Sequence, residues 1–190
     1  MRTRRTFLTH SAKVAMLMAS AGMLTVTTTY EGRTREAMAA ISSNLIAVAP
    51  DVDSLVAGLA EAVGRGMYAQ DRTSQFLRIA LDEIRPGYAR MTLRVTEDMV
   101  NGHGMCHGGL IFTLADSAFA YSCNSHNHNA VASGCAIEFL APAHIGDVLT
   151  AVADERALAG RSGIYDIDVR NQDGKLIAVF RGKSHRIQGE

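Results

Sequence analysis

The chain has 190 residues, and its 19 basic and 19 acidic side chains cancel at neutral pH. This length allows one domain plus an extension, and the lack of a basic excess argues against nucleic acid as a partner. Three cysteines without metal-site spacing argue against a disulfide framework and fit a reducing compartment. No apolar run is long and uninterrupted enough to span a bilayer, so no membrane contact is expected.

Residues 1–51 are predicted to be an N-terminal extension. Arg4–Leu8 followed by the apolar residues 14–26 resembles a twin-arginine export signal, with Ala37–Ala39 as its cleavage site. A start codon assigned too far upstream, with translation beginning near Met38, explains the same residues, and a disordered extension is the third alternative. Under each explanation the working domain is predicted to span residues 52–190.

That domain is predicted to begin with an amphipathic helix over Leu55–Arg78, in which Leu55, Leu59, Val63 and Met67 recur at four-residue spacing. Alternation of apolar and polar residues between turn signals then predicts six strands. They are Ile79–Ile84, Gly87–Thr96, Val131–Leu140, Val148–Leu158, Ser162–Asn171 and Leu176–Arg186. Because the later strands follow one another without helices, we expect a mostly antiparallel sheet in an α+β fold.

Between the second and third strands, the polar, glycine-rich segment Asn101–Gly109 runs directly into the apolar stretch Leu110–Tyr121. Gly108 and Gly109 can bring their N–H groups close to a ligand, and the first turn of a helix has unpaired donors that favour a negative oxygen. This pattern indicates an active-site loop. The alternative is that the two glycines only allow close packing where the helix starts.

Asp116 is the one carboxylate on this apolar helix. Burial of an ionised carboxylate is costly unless it is paired or functional, and a helix so apolar has little solvent face for a surface aspartate. Asp116 follows Gly108 by eight positions, which is about 12 Å along a helix axis. If both groups act on one carbonyl, they must come from two chains, which predicts an obligate homodimer or a dimer of dimers.

Other polar residues near this loop are weaker candidates. His103 and His107 have a spacing that binds zinc on a helix, but they lie in a loop and lack a convincing third ligand, so no metal is expected. Cys106 could be a nucleophile, although its only adjacent basic partner is His107.

Three separated blocks then carry a family resemblance. Met99–Gly109, Phe112–Asn124 and Phe180–Ile187 resemble the hotdog-fold acyl-CoA thioesterases of the phenylacetate degradation pathway, the PaaI type, and the likeness extends from about Leu59 to the C-terminus. The resemblance implies a hotdog fold, in which a mostly antiparallel sheet wraps around a central helix. It also implies hydrolysis of an aryl-acetyl-CoA, such as phenylacetyl-CoA or hydroxyphenylacetyl-CoA, without a cofactor.

The resemblance also assigns catalytic roles by position. Asp116 matches the catalytic acid, as nucleophile or as general base for water, and Gly108 matches the residue whose N–H polarises the thioester carbonyl. Asn101 and His107 match loop positions that orient the reacting groups. Ser133 is a weaker candidate for positioning water, and a hydroxyl bonded within its own strand is the alternative.

Substrate contacts are expected from Gly109 and from a basic stripe near the C-terminus. Arg181 and Lys183 alternate along a predicted strand and could meet the phosphates of coenzyme A, although a solvated strand face is the alternative. Two other functions stay open, an acyl-thioester dehydratase or hydratase and a non-catalytic acyl-CoA-binding module. Because coenzyme A thioesters are cytosolic metabolites, we expect the protein in the cytoplasm, with periplasmic export as the alternative.

Overall fold

The computed structural model describes residues 51–187, which all fall in one compact unit. The proposed extension, with its twin-arginine pattern, lies outside the described residues except for Asp51. The helices are α1 (Val52–Gln70), α2 (Arg72–Leu77) and α3 (Gly108–Asn124), with a 3₁₀ turn at Glu97–Met99. The strands are β1 (Ala80–Arg85), β2 (Tyr88–Arg94), β3 (Ala130–Phe139), β4 (Val148–Ala159), β5 (Ser162–Arg170) and β6 (Leu176–Arg186).

The six strands form one sheet in the order β1-β2-β4-β5-β6-β3, and every neighbouring pair is antiparallel. The sheet packs one face against α3, whose Leu114, Ala115, Ala118 and Phe119 are fully buried. Helix α3 and β6 are in close contact, since a Cβ atom added at Gly182 of β6 would lie 2.7 Å from the Phe119 ring. The predicted α+β hotdog fold, with a central helix wrapped by an antiparallel sheet, is confirmed.

The single helix predicted over Leu55–Arg78 is wrong, because the chain breaks at Asp71 into α1 and α2. The Asp71 carboxylate caps the new helix by accepting hydrogen bonds from the Ser74 N–H at 2.9 Å and the Ser74 hydroxyl at 2.6 Å. Asp71 therefore favours a helix start over a continuing helix, as expected for its residue type.

The buried face of α1 also differs from the face that the four-residue spacing predicts. Leu55 and Leu59 are each 45% exposed, whereas Ala60 and Gly64 are buried against the sheet. A side chain added at Gly64 would lie 3.0 Å from Leu81, so α1 approaches β1 along its small residues. The larger apolar residues of the first half of α1 therefore face outward.

At the opposite edge of the sheet, β3 pairs with β6 alone among the strands of residues 51–187. All of its residues except Ala130 and Ile137 are exposed, including the apolar Val131 and Phe139. A long edge strand exposed on both faces presents a row of backbone donors and acceptors for pairing with another strand. Within residues 51–187, no helix combines the length and apolar character needed to cross a membrane.

Candidate active site

The first turn of α3 contains one free backbone donor among its two glycines. His107 is the N-cap, and its Nδ1 accepts a hydrogen bond from the Gly109 N–H at 3.0 Å. This bond places the ring proton of neutral His107 on Nε2. The Gly108 N–H has no acceptor among the described residues. The structure thus leaves the Gly108 donor free, whereas the Gly109 donor is used by the cap.

A cleft of about 360 Å³ opens beside Gly108. Its lining is mostly apolar and consists of Met105, Cys106, Gly108, Ile111, Phe139, Leu140, Ala141, Pro142 and Ala143. The ring of Phe139, from the end of β3, lies so close that a side chain added at Gly108 would be 3.2 Å from it. The free Gly108 N–H therefore lies at an apolar cleft with an aromatic wall.

Asp116 lies about two turns further along α3 and is half-buried. Its carboxylate has no hydrogen-bond or ion-pair partner among the described residues, and burial raises its pKa above the usual 3.8. Burial and the negative charge of Asp116 together raise the pKa of Cys135 on β3. Asp116 therefore lies near the exposed β3 edge, and its folded environment disfavours the charge it would need as a base or nucleophile.

Asn101 organises the loop before α3. Its Oδ1 accepts hydrogen bonds from the His103 N–H at 2.9 Å and the Met105 N–H at 3.3 Å, and its own N–H donates to the Met105 carbonyl at 2.8 Å. These bonds leave the Nδ2 group of Asn101 without an acceptor among the described residues. The loop holds this amide in place as a free donor.

Cys106 is unsuited to nucleophilic catalysis. The residue is only 5% exposed, and burial, followed by the charge of Asp147, raises its pKa to about 11. Its thiol is therefore protonated near neutral pH, and the thiolate is the reactive form. Among residues 51–187, no three His, Cys, Asp or Glu side chains are arranged to hold a metal ion.

The structure does not bring Ser133, Arg181 or Lys183 into the cleft beside Gly108. The Ser133 hydroxyl, at a bulge in β3, donates to the Lys183 carbonyl at 3.1 Å, so it bonds to the neighbouring strand. Arg181 and Lys183 are both exposed, and Arg181 lines a separate cavity with Asp166. The Arg181 guanidinium donates two hydrogen bonds to Asp166, at 2.6 and 2.8 Å. That pairing competes with any phosphate contact by Arg181.

Comparison with known proteins agrees with this architecture. Residues 103–178 match the model of the thioesterase superfamily. The acyl-coenzyme A thioesterase PaaI of Escherichia coli strain K12 is 50% identical over 123 residues, which are 65% of this chain and 88% of that protein. The chain belongs to the thioesterase superfamily. The resemblance seen in the sequence is confirmed.

Solved thioesterase structures extend the match to three dimensions. The Escherichia coli PaaI protein from the phenylacetic acid degradation operon superposes with a TM-score of 0.70 at 47% identity, covering 70% of this chain and 97% of that chain. A mutant of the phenylacetic acid degradation protein PaaI from Thermus thermophilus superposes with a TM-score of 0.60 at 34% identity, covering 62% and 100%. The described domain thus accounts for nearly the whole length of both structures.

Phe139 lines the candidate cleft of this thioesterase, and the sequence analysis did not single it out. The residue lies in the predicted strand Val131–Leu140, but alternation along a strand does not say which helix lies beside its end. The contact with Gly108 depends on the place of β3 at the sheet edge beside α3. The signal that the sequence offered was an aromatic residue near the end of a predicted strand.

Proposed function

We propose that this protein hydrolyses acyl-CoA thioesters, with aryl-acetyl-CoA esters such as phenylacetyl-CoA or hydroxyphenylacetyl-CoA as substrates. The proposal depends on one observation: on the same central helix, the Gly108 N–H and the Asp116 carboxylate have no partner within residues 51–187. Unpaired polar groups at such positions cost stability, and active sites are where folds retain them. The 50% identity to an acyl-coenzyme A thioesterase supports the same reaction.

In the proposed reaction, the Gly108 N–H donates a hydrogen bond to the thioester carbonyl oxygen. Asp116 either attacks the carbonyl carbon itself or removes a proton from an attacking water. Negative charge develops on the carbonyl oxygen, and the start of α3 stabilises it. The carbon–sulfur bond then breaks, and the CoA sulfur leaves and takes a proton. If water attacked, the acyl group leaves directly as a carboxylic acid; if Asp116 attacked, a water hydrolyses the resulting mixed anhydride, which frees the carboxylic acid and restores the Asp116 carboxylate. The net change is addition of one water across the thioester.

Asn101 and His107 supply further donors to this reaction. The Nδ2 group of Asn101 has no acceptor in the described part of the chain, and the ring of neutral His107 presents an Nε2 proton while its Nδ1 accepts the Gly109 N–H. Both groups flank the N-terminus of α3. We propose that they orient the thioester carbonyl or the attacking water.

The two principal groups must come from different chains. Eight residues of helix separate Gly108 from Asp116 by about 12 Å along its axis, too far for one carbonyl to contact both. A homodimer with the two copies of α3 antiparallel across a two-fold axis brings the Gly108 donor of one chain to the Asp116 carboxylate of the other. Active sites then lie at the subunit interface.

The exposed β3 edge supports this dimer and predicts its register. Phe139 of β3 lies against Gly108. Cys135 of β3 lies close enough to Asp116 that, after burial, the Asp116 charge contributes to its raised pKa. Four residues of strand span about 13 Å, which matches the roughly 12 Å between the two helix positions. If β3 pairs with the partner's β3 about an axis near Ile137, the Phe139 end of one strand meets the Cys135 position of the other. This register brings Gly108 to the level of the partner's Asp116.

Substrate preference follows from the cleft beside Gly108. Its lining is apolar, and Phe139 supplies an aromatic face suited to packing against a phenyl group in an edge-to-face or offset arrangement. The likeness to the PaaI protein of a phenylacetic acid degradation operon supports an aryl-acetyl group. We place the enzyme in the cytoplasm, where coenzyme A thioesters are metabolised.

The direct test is a hydrolysis screen over aromatic and aliphatic CoA esters, in which the release of free CoA thiol is measured. We expect aryl-acetyl-CoA esters to give the highest kcat/KM. A protein that adds water to an unsaturated acyl chain and leaves the thioester intact, or that binds the esters without thiol release, would contradict the proposal.

The pH profile provides a second test. Asp116 acts in its charged form, and burial raises its pKa. On acidification, kcat/KM should therefore fall at a pH above that at which an exposed aspartate is protonated. Initial rates between about pH 4 and 8, with stability checked at each pH, would show the inflection. An activity that stays constant down to about pH 4, the ordinary range of aspartate, would contradict this role.

A further inference from the structure

The side chain of Asn124, the last residue of α3, bonds to the first residue of β3. Its Oδ1 accepts a hydrogen bond from the Ala130 N–H at 2.9 Å, and its Nδ2 donates to the Ala130 carbonyl at 3.0 Å. The same Nδ2 also donates to the Ala120 carbonyl of α3 at 2.9 Å. One amide therefore connects the end of α3 to both backbone groups of Ala130. We name the two bonds between Asn124 and Ala130 the Asn124 clamp.

The clamp holds the free edge of β3 and not the side that pairs with β6. The Asn129 carbonyl accepts a hydrogen bond from the Ile187 N–H, so the backbone groups of Asn129 point toward the β6 side. Because the backbone groups of successive residues point to opposite sides of a strand, those of Ala130 point away from β6. The sheet therefore supplies no partner for them within residues 51–187, and Asn124 supplies both.

The clamp is also the polar connection between α3 and β3. Across residues 51–187, no other hydrogen bond joins these two elements directly. At their opposite end they meet through a nonpolar contact, where the Phe139 ring lies against Gly108. The position of α3 along β3 is thus fixed by a ring contact at one end and by the Asn124 clamp at the other.

Other contacts hold α3 to the rest of the molecule without β3. The Tyr121 hydroxyl donates to the Asp71 carboxylate at 3.3 Å, between α1 and α2. His126, just after α3, bonds through Nε2 to the Glu155 carboxylate of β4 at 2.9 Å. Loss of the clamp would therefore leave α3 packed on the sheet and would change chiefly its position relative to β3.

That relative position matters because both reacting groups lie on α3, whereas the proposed dimer is joined through β3. The distance from the Gly108 N–H of one chain to the Asp116 carboxylate of the other depends on how each α3 is fixed to its own β3. The clamp is compatible with β3 pairing about an axis near Ile137. Strand β3 ends at Phe139, so no residue of the other β3 lies opposite Ala130.

We infer that Asn124 is a positioning residue for thioester hydrolysis, and that its clamp sets the distance between Gly108 and the Asp116 of the other chain. The inference rests on the proposed function. Displacement of reacting groups by about 1 Å can lower a rate by about 10²-fold, so Asn124→Ala should lower kcat by about 10- to 100-fold. KM should change little, because the cleft beside Gly108 lies at the other end of α3 and β3.

Steady-state kinetics of the full chain, with the best CoA ester and well below the Tm of each variant, test this split. Asn171→Ala is the matched control, because the Asn171 Oδ1 also accepts two backbone N–H groups, at 3.1 and 3.0 Å, in the β5–β6 hairpin. It should lower the Tm but keep wild-type kcat. An unchanged kcat for Asn124→Ala, or an equal fall for both variants, would overturn the inference. A wild-type chain that releases no thiol would instead overturn the proposed function, and the inference with it.

A double-mutant cycle separates positioning from a general loss of structure. Residues that act as a unit have non-additive effects, so adding Asn124→Ala to an Asp116→Asn chain should lower the residual kcat by less than about twofold. A loss of the same size in both backgrounds would show that Asn124 acts independently of Asp116, and the inference would fail. Asn124→Asp keeps the acceptor for the Ala130 N–H but loses both donors. It should repeat these results, so the test holds even where Asn124→Ala does not fold.

Discussion

We expect Asp116→Asn to lower kcat for thioester hydrolysis by at least about 10²–10⁴-fold, the range that a positioned general base contributes. Asparagine keeps the shape of the side chain but can neither attack the carbonyl nor accept a proton from water. Thiol release with the best CoA ester measures the effect. Asp82→Asn, at an exposed carboxylate of β1, is the matched control and should keep wild-type kcat. An Asp116→Asn enzyme with most of its activity would refute the role of Asp116.

The same variant should be at least as stable as wild type. Burial raises the pKa of Asp116 in the folded protein, so the folded state binds this proton more tightly than the unfolded state does, and the charged carboxylate destabilises the fold. This cost is fully present above the folded pKa and disappears as the pH falls below the unfolded pKa. Thermal unfolding at about pH 7 should show a Tm of Asp116→Asn equal to or above that of wild type. A lower Tm would indicate that the carboxylate has a structural role.

The sequence predicted the sheet and central helix well, because each of these elements has a regular apolar pattern. The strand Ser162–Asn171 alternates along its length, and the structure has β5 at Ser162–Arg170. Helix α3 begins at Gly108, where the glycine pair follows a polar loop. Local residue types decide both features, so one sequence suffices to find them.

Contacts between distant elements could not be predicted in this way. The four-residue spacing of Leu55 and Leu59 suggested a buried stripe, but α1 packs through Ala60 and Gly64 because only small residues allow its backbone to approach β1. For Arg181 the sequence leaves coenzyme A phosphates and a solvated strand face open, and it does not predict the pairing with Asp166 on the neighbouring strand. Both outcomes depend on strand order and register, which periodicity does not contain.

Gly108→Pro should cause the second large loss of activity, because it removes the N–H that we propose binds the developing oxyanion. Gly108 is the first residue of α3, and His107 before it has φ −63° and ψ 129°, so proline fits the backbone at this position. We expect kcat to fall by about 10²–10³-fold. Gly108→Ala adds the same Cβ, 3.2 Å from the Phe139 ring, but keeps the N–H, and should lose far less activity. Equal losses in the two variants would attribute the effect to crowding against Phe139.

Mixing the two inactive chains tests whether the site is shared between subunits. In a dimer of one Asp116→Asn chain and one Gly108→Pro chain, one site combines an intact Gly108 with an intact Asp116 from the partner, and the other site lacks both. Random reassembly of equal amounts makes half of the dimers mixed, each with one working site of two, so activity should return to about one quarter of wild type. If both groups acted within a single chain, every site would lack one of them and mixing would restore nothing. Recovery therefore requires that the two groups from different chains meet at one thioester.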